Sequence, residues 1–596
     1  MSTENKNKQK VTGKVFDSKL FIRLLSYSKN YKPQFITSII AVVLIALFAA
    51  VRPILLQFII DDYITNKNAE LLLKFIILML SVLVMEVIFQ FLFIYFANWL
   101  GQSIVKDMRT QLFNHLLHFK MQYFNKSAVG KLVTRVVSDI ETISSVFGQG
   151  LFMIISDLLK MFVISLVMLW MNWRLALIVF SILPILIFAT KVFQKAMKGA
   201  FQEVRTEVSN LNSFVQERIT GMRIIQLFTR EKIEYIHFKS INERHKKAWI
   251  RAVWYNSIFF PLAEILPSIA IGLVVWYGGL SAATSANDSI TVGKMISFIM
   301  MNFMLFRPLR QIADKFNTLQ MGMVAAERVF KIMDTDDSEV DNGVETFDNI
   351  KGNVSFDNVH FSYIKNEEVI KGISFDVKQG ETVAIVGATG AGKSTIINLL
   401  NRFYIIDSGR VTIDNILIDD FKLTDLRKKI AVVLQDVFLF SDTIFNNITL
   451  KDPSIKLEEV KKAATEIGIH DFIMTLPGGY SYNVKERGVM LSVGQRQLIA
   501  FLRAYVSKPC ILILDEATSS VDTHTEKLIQ SATEKITKDR TSIIIAHRLA
   551  TIKKADKIIV MEDGKIVEQG SHYELLEKKG YYSNLYNIQF LQKKAG

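Results

Sequence analysis

Six apolar stretches fill the first half of this chain, and each is long enough, at about 20 residues, to cross the hydrocarbon core of a bilayer as a helix. Segments such as FITSIIAVVLIALFAAV and FIILMLSVLVMEVIFQFLFIYFA set the pattern, and the expected spans are 33–60, 72–98, 145–171, 174–193, 253–277 and 291–317. Buried helices of a large soluble enzyme seldom run so far without a charged face. Hydrophobic residues make up 50% of the 596-residue chain, and most of that excess lies before about residue 320.

Charge gives the expected orientation. The first 32 residues hold eight Lys or Arg against two acids and no cleavable apolar signal, which places the N-terminus in the cytoplasm, and an even number of spans returns the C-terminus there. The link 61–70 is net acidic and 281–290 nearly uncharged, whereas 194–252 carries Arg218, Arg223, Arg230, Lys246 and Lys247. Basic residues beside anionic headgroups account for part of the net charge of +14, and with six spans this argues against nucleic acid as a partner. The single cysteine, Cys510, excludes an intramolecular disulfide and a cysteine-built metal cluster.

From about residue 335 the pattern changes to short apolar runs separated by turn and helix signals, as in GNVSFDNVHFSY and ISFDVKQGETVAIVG. TVAIVG reads as a buried strand leading into GATGAGKST, residues 387–395. Glycines at 387, 390 and 392 let several backbone N–H groups point inward, the following helix adds its positive end, and Lys393 favours phosphate oxygens. Ser394 is placed to ligate Mg2+. A second strand, CILILDE, ends in Asp515, suited to the metal shell, and Glu516, suited to polarising a water. A third, TSIIIAHR, ends in His547. In LSVGQRQLIAFLRA, Ser492 caps a helix whose N-terminus is a second anion site. One nucleotide needs one cradle, so a second implies two chains sharing it.

Over nearly its whole length the chain resembles the ATP-binding cassette (ABC) transporters, specifically the exporter type with six spans fused ahead of one nucleotide-binding domain. The resemblance implies an all-α six-helix transmembrane domain followed by an α/β P-loop nucleotide-binding domain. Its expected bounds are a cytoplasmic segment at 1–32, the transmembrane domain at 33–320, a linker at 321–350 and the ATP-binding cassette at 351–596. It implies that Tyr363 stacks on adenine and that Gly387, Ala388, Thr389, Gly390, Ala391, Gly392, Lys393, Ser394 and Thr395 form the Walker A loop. Gln435 in VVLQD is the expected Q-loop ligand, Asp515 and Glu516 the Walker B pair, Asp522 in SSVD the D-loop residue and His547 the switch histidine. Catalysis would then fall to Glu516, His547 and Gln435, and Mg2+ to Ser394, Gln435 and Asp515. Two chains would form a head-to-tail sandwich, each ATP lying between one chain's Walker A and the other's signature helix. Loops at 102–144 and 194–250 look like the family's coupling regions.

The sequence departs from the family at the signature, usually LSGGQ, where Ser492, Gly494 and Gln495 remain but Val493 replaces a glycine, adding bulk and restricting the backbone. YNVKERG similarly puts Lys485 at a usual glycine of TEVGERG. In heterodimeric exporters one chain often combines a complete Walker B with an altered signature, which favours a heterodimer over a homodimer here.

Charges within spans are costly and tend to face a cavity or a partner. Glu86, Asp157, Lys160, Glu264, Arg307 and Arg310 are such charges. Asp157 and Lys160, spaced i, i+3, either neutralise each other or serve the cavity. Arg307, Arg310 and Asp314 share one face of the sixth span, and with Glu264 they are the expected transport pathway. The expected activity is ATP-driven export of an apolar or amphipathic solute, a drug or a lipid, across the plasma membrane. The alternatives are a membrane-anchored regulatory ATPase or an ATP-gated channel.

Overall fold

The computed structural model describes residues 17–284, 290–339, 341–346, 350–515, 523–546 and 548–587. It divides into two compact units: one holds the chain up to Leu117 together with Ala128–Asp336, the other His118–Ser127 together with Asp337 onward.

The first unit is helical, and among its described residues six helical runs are long and apolar enough to cross a membrane. The long regular helices are α1 (Lys32–Phe58), α2 (Ala69–Leu117), α3 (Phe152–Met171), α4 (Trp173–Thr220), α5 (Glu231–Thr284) and α6 (Val292–Met333). At 1.5 Å per residue, the 48 residues of α4 reach roughly 70 Å, about twice what a bilayer core needs. Polar extensions therefore continue the apolar rods, and α4 and α5 are tied along theirs by Arg251–Glu203 (2.5 Å), Arg244–Glu207 (3.4 Å) and Arg218–Glu234 (2.5 Å). The expected linker at 321–350 begins inside α6, which runs unbroken to Met333. Hydropathy marks where the membrane ends, whereas a helix ends where its hydrogen bonding does.

Apolar surface gives little drive between helices already in lipid, so close packing and interhelical hydrogen bonds hold them together. Ala41, Ala46, Ala49 and Ala50 of α1 are buried, allowing close approach. Buried Ser297 and Asn302 of α6 donate to the Pro53 carbonyl of α1 (2.6 Å) and the Pro267 carbonyl of α5 (3.2 Å). Asp61, in the π-turn Ile59–Ile64 after α1, accepts from the Gly293 N–H (2.8 Å) and the Thr291 hydroxyl at the start of α6. Near the N-terminus, Arg23 forms a two-point ion pair with Asp334 (2.7 Å for both bonds) and lies 4.1 Å from the ring centre of Phe330.

The span charges do not pair as sequence spacing suggests. Asp157 bonds Lys315 of α6, not Lys160, and Arg52 of α1 faces Glu86 of α2 at 3.1 Å. Arg52 and Lys315 lie inside the expected spans 33–60 and 291–317 but were not among the span charges singled out above.

Among the described residues, the second unit contains two sheets. An antiparallel one has the order β2 (Glu367–Val377), β1 (Val354–Ile364), β4 (Ser408–Ile413), β5 (Ile416–Leu417). The other has the order β10 (Lys565–Gly570), β9 (Lys557–Glu562), β3 (Thr382–Gly387), β8 (Thr541–Ile545), β7 (Ile511–Asp515), β6 (Ile430–Val433), parallel from β9 to β6. β7 and β8 are buried throughout, as strands covered on both faces must be. His118–Ser127 joins this unit through main-chain bonds from Lys120 N to Asp337 O (2.9 Å) and from Glu339 N to His118 O (2.7 Å). Asn125 adds a side-chain bond to the Tyr404 hydroxyl (2.5 Å).

Candidate functional site

In an open parallel sheet, ligands gather outside the carboxyl ends of the strands, and the expected residues Gly387, Gln435 and Asp515 lie at or just past those ends. β3, in the interior of the larger sheet, delivers Gly387 into the loop, and α7 (Lys393–Leu400) leaves it. Two glycines are structurally required. A Cβ on Gly387 would meet the Met561 carbonyl oxygen at 2.2 Å. Gly392 caps α7 with φ +97°, and a Cβ there would lie 2.8 Å from Ile370 Cδ1.

Lys393 is buried, and its ammonium donates to the carbonyls of Gly387 (2.8 Å) and Ala388 (2.9 Å). It braces the loop from within and stands beside the place a phosphate would take. Burial pulls its pKa below the ordinary lysine range, and the Asp515 carboxylate pulls it back up. Ser394 donates to Asp515 Oδ2 over 3.4 Å, so a hydroxyl and a buried carboxylate already face one another. Hard oxygen donors of this kind suit Mg2+, which keeps most of its remaining positions for water and phosphate. Val433 pairs with Leu514, so Gln435, exposed two residues past β6, leaves the sheet at the same edge as Asp515. Asp515 pairs in turn with Ile545, the last residue of β8 and two before His547. Glu516, Asp522 and His547 themselves lie outside the described residues.

Tyr363, on β1, is drawn to the flank of α7. Its hydroxyl donates to Thr395 Oγ1 (3.3 Å) and accepts from Asn398 Nδ2 (3.1 Å), and its ring meets Tyr404 edge-on at 4.9 Å. Sequence reasoning had not named Asn398 or Tyr404, which carry no motif signal of their own and are found only through the ring they hold.

The signature segment opens α8 (Val493–Val506) with a complete capping box. Ser492 Oγ accepts from Gln495 N (3.2 Å), and Gln495 Oε1 accepts from Ser492 N (3.0 Å). Val493, the first residue of the helix, is 48% exposed. No hydrogen bond or ion pair among the described residues links Ser492–Gln495 to the Walker A loop of the same chain. Just upstream, Lys485 has φ 59° and ψ −172°, a conformation adopted almost only by glycine. Lys485→Gly is therefore expected to stabilise the second unit by about 1–2 kcal/mol, the relieved strain less glycine's entropy cost. Thermal unfolding of the full chain checks this, and an unchanged or lower midpoint would show that the loop carries no strain.

Of the expected pathway residues, Arg307 and Glu264 are exposed on the surface of the first unit, and the Arg310 side chain lies outside the described residues.

Comparison with known proteins adds a second line. Residues 35–309 match the family model described as ABC transporter transmembrane region, and residues 370–519 the one described as ABC transporter. The chain is 37% identical over 572 residues to the uncharacterized ABC transporter ATP-binding protein YknV of Bacillus subtilis, covering 95% of this chain and 94% of that one. It is 33% identical over 575 residues to the ATP-dependent lipid A-core flippase of Thiobacillus denitrificans, covering 96% and 99%. YgaD of Bacillus subtilis, a protein named for multidrug export, is 35% identical over 579 residues, covering 96% and 99%.

Proposed function

The chain belongs to the ABC transporter family, as an exporter-type half-transporter that couples ATP hydrolysis to transport, and from that premise we propose that it exports an apolar or amphipathic solute across the plasma membrane as one half of a heterodimer. Its relatives named for lipid A-core flipping and for multidrug export support a lipid or drug as cargo over a regulatory ATPase or gated channel.

The Walker A backbone and Lys393 hold the ATP phosphates, and Tyr363 takes the adenine. Ser394, Asp515 and Gln435 would hold Mg2+, which when bound would supply positive charge to offset that developing on the phosphates. Glu516 orients the attacking water and His547 the γ-phosphate, while Asp522 couples the two sites. Glu264, Arg307 and Arg310 face the path of the solute, and both chain ends lie in the cytoplasm.

The observation that carries the heterodimer reading is the contrast within the second unit: a braced Walker A beside Asp515, but Val493 exposed at the first turn of α8. A β-branched side chain there holds a phosphate away from the N–H groups that would bind it. The ATPase rate of the chain purified alone in lipid is expected to be low, and Val493→Gly to raise it roughly tenfold by restoring those donors. Robust, cooperative hydrolysis by the unaltered chain, indifferent to Val493→Gly, would instead establish a homodimer with two equivalent sites.

A further inference from the structure

Five charged side chains from segments read as spans converge in the first unit: Arg52 on α1, Glu86 on α2, Asp157 and Lys160 on α3, and Lys315 on α6. Two pairs form between helices. Arg52 Nε and Glu86 Oε2 face one another at 3.1 Å, both atoms shielded from solvent, and Lys315 bonds Asp157. Each paired side chain is at least three-quarters buried.

Lys160 is left over. It lies within coulombic reach of the other four, yet among the described residues it makes no ion pair or hydrogen bond. Among the described side chains of the cluster, three cations against two carboxylates leave one positive charge over. Both carboxylates are already committed to other cations. A charge kept within an apolar layer is costly unless something neutralises it, so an anion arriving at Lys160 would be stabilised there. Lys160 is only partly buried, and its four-carbon stem lets the ammonium meet an incoming group. An apolar wall adjoins the cluster: Phe48, one helical turn from Arg52, stacks on Phe89, one turn from Glu86, at 5.7 Å.

We propose that α1, α2, α3 and α6 form a binding site for an anionic amphipath, with Lys160 neutralising a carboxylate, phosphate or sulfate head and Phe48 and Phe89 receiving the apolar body. This rests on the export reading and narrows its substrate class from apolar or amphipathic solutes to anionic ones. Arg52 and Lys315, held by their partners, position the cluster and keep Glu86 and Asp157 from competing for Lys160.

The test is equilibrium binding to the purified full chain in nanodiscs of neutral phosphatidylcholine without nucleotide, which separates its outcome from that of the hydrolysis experiments. Dodecyl phosphate is expected to bind saturably, dodecyltrimethylammonium not to compete, and inorganic phosphate to compete only weakly, since it lacks the apolar body. Lys160→Gln should weaken dodecyl phosphate binding by about tenfold or more, the loss of one charge-assisted bond, and Lys160→Arg should restore most of it. ATP binding by each variant reports that the chain is folded. Full competition by inorganic phosphate would assign the site to a free anion and overturn the amphipath. Equal binding of the cationic and anionic probes by the unaltered chain, or undiminished binding by folded Lys160→Gln, would overturn the site itself.

Discussion

Glu516→Gln is expected to abolish ATP turnover while leaving ATP bound. The substitution keeps the shape of the side chain and removes the carboxylate that would orient and deprotonate the attacking water, a contribution of roughly 10²–10⁴-fold in rate. Asp515, immediately before it, ends β7 as a buried carboxylate opposite Ser394, and since the proposed mechanism gives the metal to Asp515, metal binding should survive. ATP affinity should accordingly stay within about threefold of the unaltered chain, well under the tenfold that 1.4 kcal/mol represents. The measurement pairs steady-state phosphate release with nucleotide binding, in whichever assembly of the chain hydrolyses ATP. A variant that keeps a tenth of the parent rate would move the base to another residue and remove the catalytic role given to Glu516.

Lys393→Ala should fail one step earlier, at binding. The ammonium is held by the Gly387 and Ala388 carbonyls, so the loop depends on it for shape as well as for the proposed phosphate contact. Loss of a charge-assisted bond of about 1.5–3 kcal/mol weakens ATP binding roughly 10–100-fold. Because burial lowers the pKa of this amine, nucleotide binding should also decline with rising pH sooner than an ordinary lysine would allow. Titration with a fluorescent ATP analogue reports both effects. Unchanged affinity in Lys393→Ala would show that backbone N–H groups alone hold the phosphates.

The parts of this architecture that depend on solvent or on local backbone were legible in the sequence. Apolar length announces a span because the bilayer offers no other partner for the backbone, and GATGAGKST announces its turn because only glycine tolerates conformations such as that of Gly392. What escaped depends on pairs far apart in sequence. Asp157 and Lys160 share one helix face, so spacing suggested mutual neutralisation, but Lys315 comes from another helix and takes the carboxylate. The strain at Lys485 was visible only as an unexpected residue in a motif, and its φ of 59° was not. The end of α6 at Met333 was hidden because nothing in hydropathy distinguishes a wet helix from a wet linker.

His118–Ser127 packs with the second unit although both its neighbours in sequence, Leu117 and Ala128, belong to the first. The backbone therefore crosses between the units three times, at 117/118, 127/128 and 336/337, rather than once. During synthesis these ten residues emerge long before the sheets they join and must wait for them, so the second unit cannot complete itself from its own contiguous stretch. A fragment starting at Asp337 would leave Asp337 and Glu339 without the main-chain partners that Lys120 and His118 supply. Cutting the polypeptide between two domains, ordinarily the gentlest of interventions, here takes a piece out of one of them.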